Sequence, residues 1–326
     1  MPENSRAWEL NLAVVAVVCT VITLFAGFLG IWLGFGGRRF AVALFAAAVL
    51  FAFELSLAAP RFRASVQGRL GRQGSAFAAL VPLFAVLIYV PGMTGDWKLM
   101  LAGAAYAVLP ALLLAGSIGK TPGRFEDYLA ACLVWLPVEF RWMYRLFPYP
   151  PPLTHTLTIL MALSTGVAAF VVMRRLDGVG YTIEWRRGFG SNFSVHFAGF
   201  ALIAVPLGIK IGFIVWGPSL ARFKLSPLEG LGILLFTAWP EEFLFRGVLQ
   251  NLLSRSFKNQ WAGLIVASVI FGLSHILHKP FPNWKYVILA TIAGLFYGHA
   301  YIKTRSLVPG ALVHGLVDIS WHVLFK

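Results

Sequence analysis

Charge is scarce in this 326-residue chain: Asp, Glu, Lys and Arg together make up 12% of it. A soluble globular chain carries about twice that share. The shortage excludes a soluble enzyme with a polar shell, and it excludes a disordered protein. Cysteine is nearly absent as well. Cys19 and Cys132 each sit inside an apolar run, which argues against a disulfide framework or a Cys-based zinc site. Acidic residues are the scarcer charge, 13 against 27 Lys and Arg, for a net charge of +14. The excess cations lie in short clusters between apolar runs rather than along one stripe. That pattern fits loops that orient a membrane protein and leaves no role for nucleic acid as a partner.

What the chain has in abundance is apolar length, 59% hydrophobic residues gathered into long runs. A helix crosses the hydrocarbon core with about 20 such residues. Runs of this kind fall near 10–36, 40–60, 74–93, 97–117, 128–147, 155–173, 193–215, 228–250, 260–278, 284–302 and 306–325. The expected fold is all-α, a polytopic transmembrane helical bundle of about 10–11 spans surrounded by membrane lipid. The first run is too long for a cleavable signal segment and reads as an uncleaved first helix. The fifth run is the weakest because it holds Pro137, Glu139 and Arg141, which suit a re-entrant or interfacial segment. Tyr149 and Pro150 to Pro152 read as a stiff exterior connection. A cytoplasmic N-terminus places Arg61, Arg63, Arg69, Arg72, Arg174, Arg175, Arg186 and Arg187 inside, in keeping with the positive-inside bias. The expected location is thus a bacterial inner (cytoplasmic) membrane. The polar break Tyr181 to Gly190 separates an N-terminal region (1–190) with few intramembrane charges, of unknown role, from a C-terminal core (191–326) with many.

Ionisable residues inside spans cost about 2.5–3.5 kcal/mol each and are functional candidates by default. The eighth span holds Glu241, Glu242 and Arg246. Glu242 and Arg246 are four residues apart and share a helix face, so they can pair. Glu241 points about 100° away and has no helical partner, which leaves it available for proton transfer. The ninth span ends in Phe271-x3-His275, and the eleventh carries His314-x3-Asp318, again on one face. His278 and His322 lie near span ends, where snorkelling explains them, and Lys210, inside the seventh span, snorkels or pairs. His155, His196 and His299 have no polar neighbour at helical spacing and read as packing residues.

Glu-Glu-x3-Arg, Phe-x3-His and His-x3-Asp, in that order on three helices, resemble the CPBP (CAAX protease and bacteriocin-processing, Abi) intramembrane proteases. Gly294 to Gly298 and Ser306 to Ala311 also follow that family's spacing, and the resemblance covers roughly residues 225–322. It implies an intramembrane endopeptidase in which Glu241, helped by His275, activates water. His314 and Asp318 would stabilise the tetrahedral oxyanion; Glu242, Arg246 and Phe271 would support the site. The family often has Asn where this chain has Asp318, and an ionised carboxylate cannot donate the hydrogen bond that an amide can. No cofactor is needed in this scheme. An alternative is a zinc site formed by Glu241, His275 and His314 with one position open for water. The implied partner is a protein or peptide substrate with a membrane-embedded segment: a prenylated CAAX tail, a bacteriocin leader or a sorting tail. Two rivals use the same residues without hydrolysis: a scaffold or immunity protein that needs them only for helix–helix hydrogen bonds, and a proton-relaying transporter.

Overall fold

A computed structural model describes residues 6–68, 71–149 and 153–325. Arg69, the side chain of Arg72 and the connection Pro150 to Pro152 lie outside the described residues. The chain is 78% helical, and its short strands are β1 (Arg6–Glu9) and β2 (Glu184–Arg186). Contacts divide it into two compact units, one of Trp8–Asp177 and one built on Gly178–Lys326.

The first unit contains α1 (Leu12–Trp32), α2 (Gly37–Ala58), α3 (Pro60–Gly68), α4 (Gly71–Ala79), α5 (Val81–Met93), α6 (Trp97–Ala115), α7 (Phe125–Glu139) and α8 (Leu153–Gly166). A wider π-helical stretch, Val167–Met173, prolongs α8. Side-chain caps start two of these helices: Asn11 accepts from the amide of Val14 and Asp96 from that of Lys98. The core centres on Leu50, Leu57, Ala107, Leu114, Met161 and Phe170. A few charges are buried here too. Arg174 pairs with Asp127 at 2.7 Å and donates to the carbonyls of Ser117, Lys120 and Thr121. Ser164 Oγ donates to Glu54 at 2.8 Å. Helical spacing cannot reveal such pairs, because their members are 47 and 110 residues apart.

The second unit begins with α9 (Phe189–Lys210) and continues into one uninterrupted helical run, 220–256. That run comprises α10 (Leu220–Ile233), a π-helical turn Leu234–Ala238, α11 (Trp239–Glu242), a second π-helical stretch Phe243–Gln250 and α12 (Asn251–Ser256). Pro240 has no amide hydrogen to donate and would clash with the carbonyl four residues back. The widened turn before it absorbs that demand, and such π bulges are frequent at functional sites. Three helices follow, α13 (Gln260–Leu273), α14 (Trp284–Thr304) and α15 (Leu307–Leu324), capped by the side chains of Asn259, Asn283 and Ser306. α13 and α14 pack through small residues. A Cβ on Gly272 would come within 2.0 Å of Thr291 Oγ1, one on Gly294 within 3.0 Å of Ser268, and one on Gly298 within 2.4 Å of Leu264. Close backbone approach of this kind holds helices together where lipid removes the hydrophobic driving force between them.

Eight helices among the described residues are long and apolar enough to cross a membrane. Three of the eleven expected runs fall outside that measure for distinct reasons. α7 has 15 residues and stops where Arg141 adopts a left-handed conformation, as its proline and charges suggested. The run 220–256 is long but carries the charges of the site. α13 has only 14 residues, because the chain turns at Ser274 before Pro280 and Pro282. His196 and His299 also differ from their reading as lone packing residues: Nε2 of the former lies 2.9 Å from Nδ1 of the latter, joining α9 to α14.

Candidate active site

Adjacent Glu241 and Glu242 leave the same turn of α11 and meet different surroundings. Glu242 is buried, its side chain 1% exposed; Oε2 contacts Arg246 Nε at 3.2 Å and Oε1 lies 3.1 Å from His314 Nδ1. Gly310 makes room for it, since a Cβ there would sit 3.0 Å from Glu242 Oε2. Arg246 is equally buried and lies with its guanidinium 4.3 Å from the Phe271 ring centroid and 5.3 Å from that of Tyr297. A buried cation between a carboxylate and two ring faces is compensated on several sides. Glu241 keeps 32% of its side chain exposed, and its nearest charged neighbour is His314 Nε2 at 3.8 Å.

His314 joins the two carboxylates. Its ring stacks on Tyr297, with centroids 4.7 Å apart and planes inclined by 18°, and meets Phe271 edge-on. Nδ1 faces the Glu242 carboxylate, which only accepts, so this nitrogen donates. Nε2 points between Glu241 and Asp318, 3.8 and 3.6 Å away. Both separations exceed hydrogen-bond reach, and only a water lying to one side of these contacts, rather than between the atoms, could bond to both. Three groups therefore converge on one point without closing on each other.

His275 stands just beyond α13, on the turn that ends it. Its Nδ1 lies 2.8 Å from the carbonyl oxygen of Phe271. A carbonyl cannot donate, so Nδ1 carries the hydrogen; in the neutral ring Nε2 is then the acceptor. Tyr286 crowds the ring with centroids 4.4 Å apart, and Phe271 and His278 flank it. No hydrogen bond joins His275 to Glu241 among the described residues. Phe271 thus orients His275 through its carbonyl and carries Arg246 on its ring.

Among the described residues no group of three or more His, Cys, Asp and Glu side chains is arranged to hold a metal ion; His314 Nδ1 is committed to Glu242, which leaves Nε2 as its free nitrogen.

Spacing brought out Glu242 with Arg246 and His314 with Asp318, because each pair shares one helix. Spacing did not bring out Tyr297, Tyr286 or Gln250. Tyr297 lies within the Gly294–Gly298 segment, and nothing in its own position marks it. Gln250 stands four residues beyond Arg246, donates to the Gly298 carbonyl at 3.1 Å and is buried; continuing the four-residue stripe from Glu242 would have reached it.

No curated protein and no solved structure matches this chain. One family model does, Type II CAAX prenyl endopeptidase Rce1-like, over residues 223–320. That segment begins in α10 and ends in α15, and it encloses every residue of the convergent site. Residues 223–320 are accordingly similar to the Rce1-like type II CAAX prenyl endopeptidases of the CPBP family.

Proposed function

We propose that this chain is an intramembrane endopeptidase that cleaves a membrane-anchored protein or peptide with water activated by Glu241. The asymmetry of the two carboxylates carries the reading. Glu242 is locked between Arg246 and His314, whereas Glu241 is partly open and stands 3.8 Å from His314 Nε2. A scaffold would need only the locked pair.

Water beside that contact hands a proton to Glu241 as its oxygen attacks the scissile carbonyl, and the carboxyl group returns the proton to the leaving amine. The Nε2 lone pair of His275 accepts from water on the same side of the site. With Nδ1 already donating to Glu242, His314 acts as the doubly protonated imidazolium, which the three surrounding carboxylates favour. Its Nε2, aimed beside Asp318, donates to the developing oxyanion; preorganised donors of this kind contribute several kcal/mol at the transition state. Glu242 with Arg246 holds His314 in place and sets the local field. The substrate is a chain held at the membrane by an apolar segment or lipid-bearing tail.

Comparative proteomics of membranes and secreted material, wild type against Glu241→Ala, tests the reading and finds the substrate. Uncleaved precursors accumulating in the variant are expected; identical proteomes from an expressed, folded variant would count against it.

A further inference from the structure

Five buried oxygen and nitrogen atoms on one helical run have no hydrogen-bond partner: Glu241 Oε2, Glu242 Oε2, Arg246 Nη1 and Nη2, and Gln250 Oε1. Glu242 Oε2 touches Arg246 Nε at 3.2 Å without hydrogen-bond alignment. A buried polar group without a partner costs about 1–3 kcal/mol, so a stable structure pairs it with something. Glu242, Arg246 and Gln250 are spaced by four residues and form a polar stripe from the site toward α12. Asn251 and Arg255 continue it to the helix end, with Arg255 Nε donating to Asn251 Oδ1.

The chemistry of these atoms selects the guest. Arg246 offers donors; Gln250 Oε1 and the carboxylate oxygens offer acceptors. Gln250 is fixed in that sense because its amide nitrogen donates to the Gly298 carbonyl. An anion would meet Glu241, Glu242 and Asp318, and a cation would meet Arg246. Water, which both donates and accepts, meets neither penalty and is the usual partner of buried polar groups. Glycines make room for the stripe's own side chains: a Cβ at position 298 would lie 2.3 Å from Gln250 Oε1, and one at 310 would lie 3.0 Å from Glu242 Oε2.

We propose that the Glu242–Arg246–Gln250 stripe holds ordered water inside the bundle and supplies it to Glu241 from the α12 end of the helix. The supply role rests on the protease reading, whereas the binding of water does not. His275 and Asp318 lie toward the opposite ends of their helices, so water and substrate reach Glu241 from different ends.

Radiolytic hydroxyl-radical labelling of the detergent-solubilised full chain, read by mass spectrometry, detects ordered water beside buried rings. Phe271 and Tyr297, 2% and 1% exposed, flank Arg246, while Phe170 is equally buried in apolar surroundings. Phe271 and Tyr297 are expected to label well above Phe170 in the wild type and to lose that excess in Gln250→Leu. Equal labelling of all three in the wild type would overturn the water site without any variant having to fold. With a cleavable substrate, Gln250→Leu should lower kcat at unchanged KM. A wild-type kcat in a variant that has lost the excess labelling would overturn the supply role. A wild type that labels as expected yet cleaves no substrate would count against the protease reading alone.

Discussion

Glu241 and Glu242 show how strongly the fate of a residue depends on the face it occupies. One step along α11 separates a carboxylate held by a cation and an imidazole from one held by neither at hydrogen-bond distance. Truncating one partner of such a buried pair leaves the other charge uncompensated, which typically costs about 3–5 kcal/mol. Arg246→Ala should therefore lower the melting temperature of the purified protein sharply as well as abolish activity; wild-type melting would show that the pair contributes nothing to the fold. Asp318 presents the opposite case. It lies 3.6 Å from His314 Nε2 and keeps a quarter of its side chain exposed. If Asp318 donates to the oxyanion as a neutral carboxyl group, Asp318→Asn preserves both its shape and that donation, and cleavage should continue at a comparable rate. Asp318→Ala should slow cleavage by roughly 10²–10³, the effect of losing one oxyanion donor. Steady-state rates of the two variants on one substrate check this, and an inactive but folded Asn variant would show that the position works as a carboxylate.

Helical elements here are shaped by what they must accommodate. Pro240 lies between two π-helical stretches, and the first motif occupies the turn and the second stretch that follow it. α13 stops short so that His275 sits on a turn, where its Nδ1 reaches the carbonyl of Phe271. Gly272, three residues before His275, lets α14 approach: an added Cβ would fall 2.6 Å from the Val287 carbonyl. Gly272→Ala should cost about 1–3 kcal/mol through overpacking and should slow cleavage by displacing His275. Thermal melting and rate together check this, and an unchanged melting temperature would mean that the helices separate freely. At this scale the sequence was only partly legible. Periodicity located the long apolar helices and the two pairs four residues apart. It missed the His196–His299 contact, the Asp127–Arg174 pair and the ring of Tyr297 on His314, because those partners meet only through tertiary packing.

Across the whole molecule, hydropathy and the shortage of charge were enough to read a helical membrane protein, and the order of three motifs was enough to find the segment similar to the Rce1-like family. The separate positions that converge on Glu241 were not readable as geometry, since the separation of Glu241 from His314 Nε2 depends on how α11 and α15 pack. Counting all eleven apolar runs as spans from a cytoplasmic N-terminus puts the turn between α12 and α13 on the cytoplasmic side. A single cysteine at Lys258, in a background lacking Cys19 and Cys132, should react with an impermeant maleimide from the cytoplasmic face only; labelling from the exterior would invert the orientation. The central claim is that Glu241 is the base, and it is tested most directly by the cleavage rate of purified Glu241→Gln on a membrane-anchored substrate, measured beside its melting temperature. Glu241→Gln removes the proton acceptor without orphaning a cation, so a loss of about 10²–10⁴ in rate at nearly unchanged melting is expected. A folded Gln variant that cleaves at close to the wild-type rate would contradict the account.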